Sequence, residues 1–579
     1  MPFTELGTHD GGARQGGADL WCTYAAVRTL AWLDARPQDA AATAESLRSR
    51  QNQDGGFAWQ KGLPSDVWAT YYCTQALRDL GEPVPRTEEL TRWLDSTQQA
   101  SGGFAMTPGQ RPDAWATYYA ARLLREVLDR PVPRPQALRD WLTGLQRSDG
   151  GLGWYPDAAE SDVRACYYAA MAWRASFGEA RHPWLHAGLT GWLQDRQTSD
   201  GGFVFDEEST ATCLWATFRA VRALDAIGAA PAGPAECVAW IAGRRLADGS
   251  YTRWDDYPDA DVWACFSAVG ALQTLGADVP DRDGVVEFLH GCELPEGGFT
   301  YRRSDFAGDS LATAALLLTG RTGDSGAEQT DNGAEQTDGG AREAAVRWLH
   351  HAHLPYEGGV MYMPGRGAEV RCTLWAVSAL ARAGAPGLDA ERLGGWLRRL
   401  QNQDGGFGYW HGRGSDLVST VSALEILDQL GRGTADLDVR ALEKFLDTCA
   451  DPDGYRTSPA GAVTCAATAQ GARARRLTGD HDGARAAAAH LENHASRLGG
   501  YSAAPRAIPD LVSTYQAVLA LRSLGLPVDE AGLERFLAKV RLPAGDYGWS
   551  PLGRTSGGPL AAALGGLLAG AGPLPPLNL

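Results

Sequence analysis

Four aspartates crowd one stretch of the chain, WDDYPDADVWAC: Asp255, Asp256, Asp259 and Asp261. Like charges held that close can raise the pKa of one member, which keeps a carboxyl group protonated and able to act as an acid. Asp261 also stands where a helix should begin. The same residues therefore read as one N-cap beside a solvated acidic loop. A second group of chemistry-bearing residues is WLHHAHLP, with His350, His351 and His353. Imidazoles hold a metal when they converge on one point with thiolates or carboxylates. This run falls on an expected outer helix, where a surface histidine cluster is the simpler reading. The ten cysteines are scattered singly, and most lie in apolar helical runs, as small buried hydrophobes do. That usage points to a reducing compartment without a disulfide framework.

The elements that must position these groups repeat with a period of roughly 47 residues. One half of each unit ends in a glycine turn: QNQDGGF at Gln51–Phe57, QQASGGF at Gln98–Phe104, QRSDGGLGW at Gln146–Trp154, QTSDGGF at Gln197–Phe203 and QNQDGGFGYW at Gln401–Trp410. A helix such as RDWLTGLQ or GGWLRRLQ precedes each turn, with apolar residues at spacings of three and four. The Asp-Gly-Gly supplies its left-handed C-cap. The other half is a small-residue helix opened by an acidic cap, as in DLWCTYAAVRTL from Asp19, DVWATYYCTQAL from Asp66 and DLVSTYQAVLAL from Asp510. Copies without that Asp start near Cys213, Glu369 and Gly461, and a degenerate last copy near Gly557. The cap suits the positive end of the helix. Few charges follow it, so this helix should be buried on most sides, with its Trp-bearing partner facing out. About twelve such pairs, six to a ring, predict an all-α chain of two (α/α)6 barrels.

The first barrel is expected over residues 1–300 and the second over 301–579. Within the second, Gly320–Ala341 duplicates GAEQTD and lacks apolar periodicity, which predicts a flexible insertion. At 44% hydrophobic and 21% charged residues, the composition is that of a globular protein. A net charge of −17 excludes phosphate-backbone binding as a main activity. No N-terminal signal peptide and no long uncharged apolar stretch is readable, so a cytoplasmic location without stable membrane insertion is expected.

The Gln–Gly-aromatic turn and the capped D-x-x-x-T helix together resemble the squalene–hopene cyclases and other class II terpene cyclases, in the superfamily that also holds protein prenyltransferase β subunits. The resemblance covers nearly the whole chain. It implies two toroids, γ-like then β-like, with residues about 1–35 belonging to the second. It also implies an acid-initiated carbocation cyclisation of a linear isoprenoid, the acid being the third residue of a DxDDT motif. The matching copy here reads SDFAGDSLATAALLL. Asp309 and Thr313 fill its first and last positions, while Leu311 and Ala312 replace the other two carboxylates. The donor position is a leucine. A substitute acid is then expected among Asp309, Asp305 and Glu369, with Asp259 and Asp261 further candidates. The zinc site of the prenyltransferases would need an Asp and a Cys two positions later. The nearest pairs, Asp162 with Cys166 and Asp261 with Cys265, are four apart.

Two positions after the cap, the early copies carry Trp21, Trp68, Trp115, Trp215 and Trp263, with Arg164 in the fourth; the later ones carry Leu311, Arg371, Val418, Val463 and Val512. If this position faces the barrel mouth, indoles plug the first barrel. The second is then a wide aliphatic cavity, with Leu311, Val418 and Val512 for a prenyl chain and Arg371 for an anionic group. Equally, these positions pack between helices and Arg371 pairs with Glu369. The reading is a class II-like cyclase without a cofactor, Mg2+ entering only with a diphosphate substrate. The alternatives are a non-catalytic isoprenoid-binding or scaffold protein and, more weakly, a prenyltransferase. The partner is a small isoprenoid, with no nucleic acid.

Overall fold

A computed structural model of the chain describes residues 19–59, 64–158, 160–178, 182–207, 209, 211–255, 257, 260–301, 310–319, 334–362, 367–410, 413–459, 461–543, 545–553, 556–570 and 572–579. It divides into two compact units, one of Gln15–Ala307 and one holding Gly308–Leu579. Inner and outer helices alternate along both. The first unit runs α1 Leu20–Trp32, α2 Ala40–Arg48, α3 Val67–Asp79, α4 Thr87–Thr97, α5 Ala114–Arg122, α6 Pro135–Thr143, α7 Val163–Phe177, α8 His186–Gln194, α9 Leu214–Ala226, α10 Pro234–Ala242, α11 Val262–Thr274 and α12 Arg282–His290. The second runs α13 Ser310–Thr319, α14 Ala334–Ala352, α15 Val370–Arg382, α16 Ala390–Leu400, α17 Leu417–Gln429, α18 Val439–Cys449, α19 Cys465–Leu477, α20 His481–Ala489, α21 Leu511–Ser523, α22 Glu530–Val540 and α23 Gly558–Ala569. Odd-numbered helices pack on one another in sequence. α1 also packs on α11, and α13 on α23, so each set of six closes a ring.

Sequence explains the alternation. In α16, Leu393, Trp396, Leu397 and Leu400 are buried at spacings of three and four, and its arginines point away. In α3 every residue from Val67 to Leu77 is buried, as an inner helix requires. The capping side chains accept from the first turn in every copy where a cap is described except α23. Asp19 accepts from Cys22 N, Asp66 from Ala69 N and Asp510 from Ser513 N. Cys213, Glu369 and Thr464 do the same in the copies without Asp. Each oxygen cap is worth about 1 kcal/mol.

The glycine turn joins each unit to the next. Gln401 Nε2 donates to Gly405 O at 3.0 Å and its Oε1 accepts from Asp438 N at 2.9 Å, bridging the turn to the start of α18. Asp200 Oδ2 accepts from Trp240 Nε1 of the following outer helix at 3.0 Å. Gly405 has φ +89°, and a Cβ there would lie 2.0 Å from Ala441 C, so no other residue fits. In most inner helices a threonine completes the joint: Phe57 N donates to Thr70 Oγ1 at 2.9 Å and Asp66 N to Phe57 O at 3.2 Å; in α7 Cys166 takes its place, its Sγ accepting from Leu152 N at 3.3 Å.

Two expectations change. α1 packs between α3 and α11, inside the first unit rather than the second, because its Thr23 and Asp19 meet the turn at Phe299. In the expected insertion, residues 320–333 lie outside the described set. From Ala334 onward the chain is already α14, not a loop. With Gly339 and Gly340 in that stretch, helix propensity does not explain the early start. No described helix is long and apolar enough to cross a membrane.

Candidate functional site

The lumen of the first ring is filled by its own side chains. Trp21 stands edge-on to Trp68 and Trp263, each with ring centroids 5.2 Å away, and Trp68 lies 4.4 Å from Trp115. One turn further along, Tyr24 stacks on Tyr72 at 4.1 Å. The hydroxyls of Tyr72 and Tyr119 are 3.1 Å apart, and those of Tyr118 and Tyr167 2.7 Å. Arg122 Nη1 donates to the Tyr118 hydroxyl, and Arg122 Nε sits 2.6 Å from Glu126 Oε1. Burial holds the Tyr71, Tyr72 and Tyr119 phenols well above their usual pKa, so none supplies charge here. Asp261 belongs to this ring. It caps α11, accepting from Trp263 N and Ala264 N, and is ion-paired at 2.5 Å with a buried Arg253. Its oxygens are committed as acceptors to the first turn of α11 and to Arg253. Asp259 lies outside the described residues.

The second ring differs at both levels. At the amino-terminal end of its inner helices, Glu369 is 4% exposed and accepts four contacts: Arg371 N at 3.2 Å, Arg371 Nε at 3.0 Å, Cys372 N at 3.1 Å and the Cys372 thiol at 2.7 Å. Arg371 lies 4.2 Å over the Tyr409 ring. Burial works against its charge, and the adjacent Glu369 carboxylate more than compensates, holding it above its usual value. Burial pushes the Tyr409 phenol up to about 12, against the pull of Arg371. Glu369 is thus placed as the cap of α15 and the partner of Arg371. Leu311 and Val418 are buried and Val512 is half-buried. Asp305 and Asp309 lie outside the described residues. Val463 precedes the cap Thr464 rather than following one.

Two further carboxyl groups at this end differ from the rest. Asp416 caps α17 and accepts from Ser419 N and Ser419 Oγ, both at 2.8 Å. Burial raises its pKa above the usual carboxylate value, and Glu369 adds to the rise; the Ser419 bonds and Arg371 pull it down. Asp510 caps α21 with the same pair of contacts, to Ser513 N at 2.8 Å and Ser513 Oγ at 2.7 Å, and burial raises it likewise. These two are the acid-bearing positions that the sequence reading passed over as ordinary caps. The signal was present: DLVST occurs twice, at Asp416 and Asp510, with Ser three residues after Asp.

Further along the inner helices, the expected aliphatic cavity is replaced by a buried polar cluster. Glu425 of α17 is ion-paired at 2.5 Å with Arg473 of α19, whose Nη2 also donates to Gln516 Oε1 of α21. Burial raises the Glu425 carboxyl and lowers the Arg473 guanidinium, so the pair is held together against desolvation. The segment Pro573–Leu579 completes it. Asn578 Oδ1 accepts from Arg473 Nη2 at 2.8 Å, and Asn578 Nδ2 donates to Glu425 Oε2 and Ser422 Oγ, both at 2.9 Å. The aliphatic reading sampled only the second position after the cap. The cluster sits six and nine positions after it.

Among the described residues, no three His, Cys, Asp or Glu side chains converge as a metal site. His350 and His353 instead contact backbone carbonyls, Pro386 O at 3.1 Å and Gly358 O at 2.9 Å.

Two closed rings of paired helices, joined by glycine turns of which five are locked by a glutamine, define a tandem α/α toroid protein. The prenyltransferase alpha-alpha toroid domain family matches residues 3–67, 58–230, 185–367, 363–462 and 474–555, and the chain belongs to that family. Similar solved structures include the protein geranylgeranyltransferase-I of Candida albicans complexed with GGPP, at 14% identity, TM-score 0.36, covering 45% of this chain and 84% of that one. Others are a type II terpene cyclase from Scytonema, at 16%, TM-score 0.34, covering 45% and 88%, and the ent-copalyl diphosphate synthase of Streptomyces platensis, at 21%, TM-score 0.31, covering 45% and 50%. Each is a likeness of fold. No curated protein matches in sequence.

Proposed function

We propose that the chain is a class II-like terpene cyclase of the QW-repeat type, without an intact DxDD motif, acting on a linear isoprenoid in its second ring, with Asp416 as proton donor. The observation that carries this reading is the half-buried Asp416 carboxyl, whose pKa desolvation raises, at the end of the ring where Leu311, Val418 and Val512 cluster in sequence register. A neutral carboxylic acid in an apolar surrounding is the group that alkene protonation demands. In the proposed step, the Asp416 proton goes to the terminal alkene carbon, and the π pair forms the new C–H bond. The adjacent carbon becomes cationic and is attacked by the next alkene. The last cation releases a proton, and Asp416 is reprotonated from solvent. Arg371, balanced by Glu369, faces an anionic substrate end if one is present. Protonation needs no cofactor; a diphosphate substrate would bring Mg2+.

The test is incubation with farnesyl diphosphate, geranylgeranyl diphosphate, squalene and oxidosqualene, with and without Mg2+, and mass spectrometry after phosphatase treatment. A cyclic product that falls roughly 100-fold or more in Asp416→Asn supports the assignment. Product that survives Asp416→Asn and is lost in Asp510→Asn moves the acid to α21. A second reading has its own observation: Leu311 at the family's donor position and a lumen already occupied by the chain favour a non-catalytic isoprenoid-binding protein. Tight binding of one substrate without turnover would select it.

A further inference from the structure

The segment Pro573–Leu579 has neither helix nor strand, yet it goes from exposed at Pro573 to fully buried at Asn578. Its carbonyls are received one by one by ring side chains. Arg382 Nη1 donates to Pro573 O at 3.3 Å, Tyr515 OH to Pro575 O at 2.7 Å, and Ser378 Oγ to Pro576 O at 3.2 Å. Gln516 Nε2 donates to Leu577 O at 2.6 Å and Trp375 Nε1 to Asn578 O at 2.8 Å. Three of the seven residues are prolines, which carry no N–H. An extended segment of this composition brings fewer backbone donors into a lumen of donors than an ordinary peptide would. The ring therefore presents donors at successive positions along a peptide backbone, and Glu425, Arg473 and Ser422 read one amide side chain at its inner end. Arg473 Nε and Gln470 Oε1 are buried with no hydrogen-bond partner among the described residues, which leaves recognition capacity beyond what this segment uses. In the first ring, aromatic side chains of the ring helices themselves fill the lumen, and no other segment enters it among the described residues.

We infer that the second ring's lumen is a peptide-binding site for an extended, proline-rich segment ending in an Asn-Leu pair. Pro573–Leu579 is its resident ligand and can withdraw while the ring stays folded. Gly570 and Gly572 stand before the segment and give it a pivot. Side-chain donors released from its carbonyls are satisfied by water, as the N–H and O–H groups of a wet binding site are. The inference is independent of the isoprenoid reading, because it is measured by peptide binding and amide exchange, not by turnover. A failed cyclase assay leaves it standing, and its own failure leaves the cyclase reading standing.

The experiment has two arms. A chain ending at Gly572 is titrated with labelled PLPPLNL peptide by fluorescence polarisation. Saturable binding is expected, about tenfold weaker for the peptide carrying Asn578→Ala, with no binding to the full chain. In the full chain, hydrogen exchange of the Leu574, Leu577, Asn578 and Leu579 amides is compared with that of α15, α17 and α21. Faster exchange of the segment, with the helices still protected, is expected. A truncated ring that keeps its helical melt but does not bind the peptide overturns the inference. Segment amides that exchange only as slowly as the inner helices also overturn it. Should the truncated chain not fold, the exchange arm decides alone.

Discussion

The two rings share one scaffold and differ in what fills them. In the first, the second position after the cap and the positions one turn on supply indoles and phenols, which pack against each other at centroid distances of 4.1–6.5 Å. In the second, the second position is aliphatic or is Arg371, paired with Glu369; one turn on stand Trp375, Ser422, Tyr515 and Gln516, and the centre holds a buried ion pair completed by Asn578. The difference teaches that the capped, glutamine-locked helix pair fixes the ring without fixing its contents. A handful of lumen positions decides whether the interior is a closed core or a receptor.

The comparison can be broken most forcefully at Arg473. Replacing it with Met strands Glu425 in the interior and should cost about 3–5 kcal/mol in urea unfolding, while Glu425→Leu combined with Arg473→Met should recover most of that loss. A double variant no better than the single one would mean that the pair holds the ring in a way that apolar packing cannot replace. Asn578→Ala removes bonds to both charged partners and should cost about 2 kcal/mol, with its transition confined to the second ring by hydrogen exchange. In the first ring, Tyr72→Phe loses the hydroxyl contacts to Tyr119 and Trp68 and should cost about 1 kcal/mol by the same assay. If Tyr72→Phe proved the costlier of these two, the aromatic core would be the more polar-dependent lumen and the contrast would fail.

The smallest effect concerns pH. The Asp416 pKa is raised above its ordinary 3.8 in the folded chain. The stability contributed by its neutral form is then fully present below that ordinary value and is lost as pH rises through the folded one. Asp416→Asn keeps the cap and cannot ionise. Its melting temperature relative to the wild type should therefore climb across that window and level off above it. Parallel melting curves at every pH would show that Asp416 titrates as an exposed carboxylate does.

The fold was legible because its signals repeat. Asp-Gly-Gly after glutamine, and Asp or a substitute before a small-residue helix, recur through both rings, and each recurrence has one physical cause in a cap or a turn. Even the substitutes obey it: Glu293 stands where other turns have Gln, and its two oxygens accept from Gln38 N and Asp39 N at the start of α2. The lumen was less legible because its partnerships do not recur. An arginine stands nine positions after the cap in α1, α5, α9 and α19, as Arg28, Arg122, Arg222 and Arg473, but a glutamate takes that offset only at Glu425, and ring packing makes it the partner of Arg473. Asn578 is distant from both in sequence and carries no motif. Asp416 was visible as a cap, but its burial depends on neighbours that a single helix does not reveal.

The joint that closes the first ring is the joint found within it. Asp19 N donates to Phe299 O at 3.2 Å and Phe299 N to Thr23 Oγ1 at 3.0 Å, repeating the bonds of Asp66 with Phe57 and of Phe57 with Thr70. The ring therefore has no privileged starting point. A circular permutant that links Tyr301 to Asp19 and opens instead at another outer connection would swap one such junction for an equivalent one, which makes the order of its repeats along the chain an accident of history and not a requirement of the architecture.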